Sequence, residues 1–228
     1  MLDLKQSTPR RSFLGSLAAG AAALGLAAVT SPFNLSAKPK SHPQPSDDAG
    51  FEGWLGKIKG KHRQVFDTPM PNGGFAFAWA RVFLMTNKQV GVADNDMTSV
   101  IVLRHDAIPF AMDHSLWSKY KFGEVFKITD KATNAPAVRN THYQPKAGEL
   151  LLPDMSIEEL TKSDVLIGVC DVALTVYSSM VAKTMNADAA EVKKDWVAGI
   201  LPGIQIVPSG VLAVNRAQEH SCTYCFAG

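Results

Sequence analysis

Past residue 61 the chain alternates between strand-like and helix-like segments. This is the pattern of an α/β domain with a mainly parallel sheet, here of about five strands. Two stretches carry that reading. TSVIVLR at 98–104 is short, rich in β-branched residues and lacks polar alternation, as a central strand covered on both faces would be. Across 75–87, Phe77, Ala80, Phe83 and Leu84 recur at the spacing of one buried helix face.

The elements follow in order. Residues 64–67 form a short strand, closed by Pro69 and Pro71, and the turn at 72–74 (NGG) leads into the helix at 75–87. After the strand at 98–104 comes a helical turn at 115–120. A third strand is expected at 164–169, then helices at 172–185 and 188–198. The first turn of the latter holds Asp188 and Glu191, whose charges suit the positive end of a helix. A last buried strand at 203–207 turns through Pro208, Ser209 and Gly210 into a helix at 211–219. Ser209 is the expected N-cap, because its hydroxyl can accept from an unpaired backbone amide.

Ahead of the domain, TPRRSFLG at 8–15 places twin arginines before an apolar, alanine-rich run. Lys5, Arg10 and Arg11 form the basic part and residues 16–29 the apolar part, which is of export length rather than membrane-spanning length. This is the pattern of a bacterial twin-arginine signal, read by the twin-arginine export machinery, so the domain is expected to fold before export and to work in the periplasm. Leu35-Ser36-Ala37 is the expected cleavage site. The resulting plan is a leader at 1–37, a tether at 38–60 that begins rich in Pro, Ser, Lys and Asp, and one domain at 61–228. The net charge of +2 is scattered along the chain, without the basic stripe that nucleic acid or anionic lipid would require, so no nucleic-acid partner is expected.

Three segments resemble the DsrE/DsrF-like sulfur-relay family in order and spacing: VIVLRHDAIPFAMDHSLWSKYKFGE at 100–124, DVLIGVCDVAL at 164–174 and LPGIQIVPSGVLAV at 201–214. The resemblance spans roughly 64–214. It implies a three-layer α/β/α domain, commonly a homo-oligomer, that carries sulfur as a cysteine persulfide or does related thiol chemistry. The stretch at 126–159 is longer than in compact members of that family, and its His142 and Tyr143 are read as part of a lid or an oligomer contact.

The chain has three cysteines. Cys170 falls where a strand gives way to a helix, so its sulfur is expected at the carboxyl edge of the sheet beside free backbone amides that stabilise a thiolate. The following Asp171 opposes that effect through its own charge. Cys222 and Cys225 form a Cys-x-x-Cys pair two residues after His220. In an oxidising compartment such a pair can close as a reducible disulfide, remain a dithiol, or bind a soft metal. Covalent haem is excluded, because Phe226 stands where a histidine should follow. His105, Asp106, Asp113 and His114 follow the strand at 98–104 and have the side-chain types of divalent-metal ligands or of a general base. The four tryptophans are read as core and interface.

The expected function is therefore a periplasmic sulfur carrier or thiol-redox protein. Cys170 accepts sulfur, Cys222 and Cys225 act as resolving or relay groups, and a sulfur or thiol donor or acceptor protein is the partner. The alternative is a metal or small-ligand binding module without turnover, with His105, His114, His220 and the cysteine pair as ligands to a divalent metal. A structural oligomer without chemistry is the third reading.

Overall fold

The structure is a computed structural model that describes residues 48–228. The twin-arginine leader and the tether up to residue 47 lie outside the described residues. The remainder of the expected tether is not a tether. Phe51, Trp54, Leu55 and Ile58 repeat at the spacing of one helix face; helix α1, Asp48–Leu55, buries the first three in the core, and Ile58, in the turn after it, is buried beside them.

Five strands form one parallel sheet: β1 His62–Thr68, β2 Met97–Leu103, β5 Leu166–Cys170, β6 Ile204–Val207 and β7 Thr223–Phe226, in the spatial order β6-β5-β2-β1-β7. Two-residue strands β3 Thr129–Asp130 and β4 Ala135–Pro136 make a separate antiparallel pair. Every residue of β2 is buried, as the unbroken β-branched run requires of a strand covered on both sides.

The order of the strands fixes the layers. From β1 through β2 and β5 to β6 the chain steps in one direction, so right-handed crossovers place all the connecting helices on one face. These are α2 Phe75–Gln89, α3 His114–Lys119, α4 Phe122–Val125, α5 Ile157–Lys162, α6 Asp171–Met185 and α7 Ala189–Ala198. From β6 the chain returns across the sheet to β7, and helix α8, Gly210–Glu219, lands on the other face with α1. Two buried clusters match these layers. One holds Phe77, Ile101, Leu103, Trp117, Phe122 and Trp196; the other holds Trp54, Val65, Val100, Val102, Val207 and Ala213. The fold is thus a three-layer α/β/α sandwich, as expected. The caps also agree: Asp188 Oδ1 accepts from the amides of Ala190 and Glu191, and Ser209 Oγ accepts from Leu212 at 3.1 Å. Among the described residues no helix is long and apolar enough to cross a membrane.

The long stretch between β2 and β5 is packed down onto the α2 side of the sheet. Buried Asn140 holds it: its Nδ2 donates to the carbonyls of Phe110 and Met112 at 2.8 and 2.9 Å, and its Oδ1 accepts from the His142 amide at 3.1 Å. Arg139 bridges Asp130 and Glu149. The His142 ring is buried against Phe77 and Phe110, with centroids 5.3 and 5.1 Å away. That approach needs the glycine at 74, which has φ 77°, because a Cβ there would fall 2.0 Å from Nε2.

Burial pushes the His142 imidazole down to about 4, aided by the charge of Lys131. The folded ring is therefore neutral, whereas in the unfolded chain it takes up a proton near its ordinary 6.5. Stability is fully present above that value and falls as pH drops from about 6.5 towards 4, because the unfolded state binds the proton first. Urea titrations should lose on the order of 2–3 kcal/mol to this one group between pH 7 and pH 4.5. His142→Gln should flatten the slope between pH 6.5 and 5, and an unchanged slope in that variant would contradict the assignment.

Candidate functional site

In an open parallel sheet, ligands and reacting groups gather at the carboxyl ends of the strands, where neighbouring connections part to opposite faces. Here that point lies between β5 and β6, because β5 leads into α6 on one face and β6 into α8 on the other. Cys170 ends β5 directly opposite Val207, the last residue of β6. It is also the N-cap of the fifteen-residue α6: the Ala173 N–H donates to its sulfur at 3.3 Å. The position expected from the sequence, at the end of a strand and the start of a helix, is the one observed, but the residue is only 6% exposed and packs into the cluster on the α2 side of the sheet. Asp171, expected to oppose a thiolate there, is engaged by Lys193 at 2.9 Å.

At the same carboxyl edge of the sheet lies an ion pair that sequence reasoning did not single out. Arg104 follows β2, and its Nε and Nη2 donate to the two carboxylate oxygens of buried Asp67 at 2.6 and 2.9 Å. The Tyr224 hydroxyl donates to the same carboxylate at 2.9 Å. Arg104 is held protonated above its ordinary range, first by the Asp67 hydrogen bond and against desolvation, with smaller contributions from charge on Asp67, Tyr224 and Cys170. Gly210 opens the room for it, since a Cβ there would meet the Arg104 side chain at 2.6 Å. The available signal was position alone: Asp67 and Arg104 stand at the carboxyl ends of adjacent parallel strands, one just inside β1 and the other just past β2.

The Cys-x-x-Cys pair is not assembled. Its second cysteine lies in β7, which pairs with β1, and the three-residue separation along extended chain turns the two thiols to opposite faces. Cys222 joins the cluster under α1 and α8, whereas Cys225 packs against the opposite cluster. Their Cα atoms are about 10 Å apart on that geometry, beyond the reach of a disulfide. All three cysteines are free. Burial pushes the Cys222 thiol up to about 11 and raises that of Cys225. Two intervening strands put β7 about 14 Å from β5. The expected resolving role of Cys222 and Cys225 therefore falls away.

The histidines are likewise dispersed. His105 Nδ1 lies 3.2 Å from the Tyr177 hydroxyl, which donates to Asp106 at 2.5 Å. His114 Nδ1 accepts from the Asn140 amide at 3.2 Å, and Asp113 caps α3 through the amides of Ser115 and Leu116. His220 closes the far end of α8. Among the described residues no group of three His, Cys, Asp or Glu side chains is placed to hold a metal ion. Local hydrogen bonding and capping account for the polar residues at 105–114.

Fold and site together define a three-layer α/β/α protein with a single thiol at the point where its sheet connections diverge. No family model matches the chain, and no curated protein does. A solved structure of a protein of unknown function from Methanobacterium thermoautotrophicum aligns with 73% of this chain and 99% of its own length, at 16% identity and a TM-score of 0.36.

Intact mass under non-reducing conditions should show three free thiols. At pH 7.5, Cys222 should resist thiol reagents in the folded protein and react only after denaturation. A Cys222–Cys225 bridge formed on mild oxidation of folded protein would contradict the strand arrangement.

Proposed function

We propose that the chain is an exported single-thiol sulfur carrier of the kind its resemblance to the DsrE/DsrF-like family implies, with Cys170 as the carrying group. The position of Cys170 carries this reading: one residue ends a central strand, caps the following helix and stands at the divergence of β5 and β6. A helix N-terminus is a setting in which thiolates form. The Cys170 thiolate attacks the outer sulfur of a donor persulfide, R–S–SH; an S–S bond forms at Cys170, the donor S–S bond breaks, and R–S⁻ leaves. An acceptor thiolate then takes that sulfur and regenerates the Cys170 thiolate, so no second cysteine of this chain is required. The added sulfur extends the reactive end by about 2 Å, which offsets the recessed position of the thiol.

The expected homo-oligomer belongs to the same reading. Val172, Val176 and Met180 stand four residues apart on α6, at 53, 49 and 59% exposure, and continue as an apolar stripe from the cysteine. A second copy meeting this stripe would border the thiol and restrict access to it. The twin-arginine leader supports delivery of the folded protein to the periplasm.

Exposure to polysulfide followed by intact-mass analysis should add the mass of one sulfur atom. The gain should persist in Cys222→Ser and Cys225→Ser and be lost in Cys170→Ser; a gain retained in Cys170→Ser, or none in the unaltered protein, would sink the proposal. Light scattering should find an oligomer that Val176→Asp with Met180→Asp dissociates. A monomer before substitution would remove the oligomeric part of the reading.

A further inference from the structure

A cavity of about 750 Å3, within the range of small-molecule sites, opens at the amino ends of β2 and β5, where Met97 and Leu166 begin those strands. Leu166 and Cys170 are the two ends of β5, so this wall lies about 13 Å along the strand from the thiol. Leu84, Met85 and Met97 give the cavity an apolar side.

Its charges are uneven. Five cationic side chains, Lys57, Lys59, Arg81, Lys88 and Lys162, line it against two carboxylates, Asp94 and Asp164. Some of these cations are already engaged: Arg81 pairs with Asp154, Lys88 with Asp94 and Lys162 with Glu159. Lys88 and Lys162 also sit in the last turns of α2 and α5, where they offset the negative ends of those helices. Lys57 and Lys59, in the connection from α1 to β1, have no ion-pair partner among the described residues. Lys59 is fixed in place, because Thr98 Oγ1 accepts from its amide at 3.1 Å and donates to its carbonyl at 2.7 Å. Asp164, the remaining carboxylate, is exposed and screened by water.

Two buried polar atoms add to this surplus of donors. Ser99 is 1% exposed and leaves β2 on the side of Ile101 and Leu103, facing α2, and its Oγ has no hydrogen-bond partner among the described residues. Arg81 Nε, which can only donate, is likewise buried without an acceptor there. Both residues line the cavity. Unmatched donors beside unpaired cations select a guest with negative charge and several acceptor oxygens.

We propose that this cavity binds a small organic dianion of the phosphate-monoester type. Lys57 and Lys59 hold its charged group, its oxygens supply the acceptor that Ser99 lacks, and its apolar part rests on Leu84, Met85 and Met97. Lys88 and Lys162 can turn to the same guest at little cost, because ion pairs as exposed as theirs contribute little. The site is separate from Cys170 and does not depend on sulfur transfer.

Calorimetry on the full chain at pH 7.5 tests this with 1-naphthyl phosphate, a dianion at that pH, and with 1-naphthol and inorganic phosphate. The ester should bind saturably at one site, at least about tenfold more tightly than 1-naphthol, as one charge-assisted contact is worth, and more tightly than inorganic phosphate. Lys57→Ala with Lys59→Ala, both exposed, should weaken it at least about tenfold and reduce its salt dependence. Ser99→Ala, which barely changes the buried volume, should weaken it several-fold. Cys170→Ser should bind it as the unaltered protein does. The proposal is overturned if the ester fails to bind, if 1-naphthol binds equally well, or if either the lysine or the serine variant binds the ester unchanged. Loss of binding in Cys170→Ser would place the guest at the thiol instead and also overturn it.

Discussion

A parallel sheet must be covered on both faces, and this chain meets that requirement with one change of direction. The three connections that join β1, β2, β5 and β6 all run on the same side, which would leave the other face of Val65, Val100 and Val102 in water. The return from β6 to β7 brings α8 across that face, and α1 completes the cover with Phe51, Trp54 and Leu55. Reversal at this place makes the connections after β5 and β6 part, and Cys170 sits at that point. The hydrophobic demand of β2 and the location of the thiol are thus two results of a single topological constraint.

The ion pair of Asp67 and Arg104 ties the carboxyl ends of β1 and β2 to the edge strand β7. Asp67 is the penultimate residue of β1, Arg104 follows β2, and Tyr224 reaches the same carboxylate from β7, so three neighbouring strands share one buried negative charge. Charge pairs of this kind add little net stability over apolar packing, yet leaving either member unpaired is costly. Their more evident effect is positional: the guanidinium is held at the carboxyl edge by Asp67, with Gly210 leaving the space its side chain needs. Burial raises the thiols of Cys222 and Cys225, which stand on opposite faces of the sheet.

Much of the fold was legible because its signals are local. The unbroken β-branched run of β2, the buried face of α2 and the caps at Asp188 and Ser209 depend on residues within a few positions of one another. Helix α1 was legible too, through Phe51, Trp54, Leu55 and Ile58, but the Pro- and Ser-rich stretch before it concealed that spacing. β7 was harder to find. Its Thr, Tyr and Phe have strand propensity, but its partner strand lies far back in the chain, with Thr223 bonding to Arg63 across 160 residues. Without β7, a Cys-x-x-Cys spacing has the form of a dithiol; with it, alternation along the strand separates the two sulfurs.

By itself the sequence determined the α/β class, the main strands and helices, and the place of Cys170 at the end of a strand and the start of a helix, because hydrophobic period and capping chemistry act over a few residues. Tertiary structure decided the rest: which cysteines share a face, that His105, His114 and His220 stand apart, that Asp67 meets Arg104, and that the stretch at 126–159 packs down on the α2 side of the sheet with His142 buried. These facts depend on the order in which strands lie side by side, and that order follows from covering both faces of the sheet at once, a condition no local stretch of chain can express.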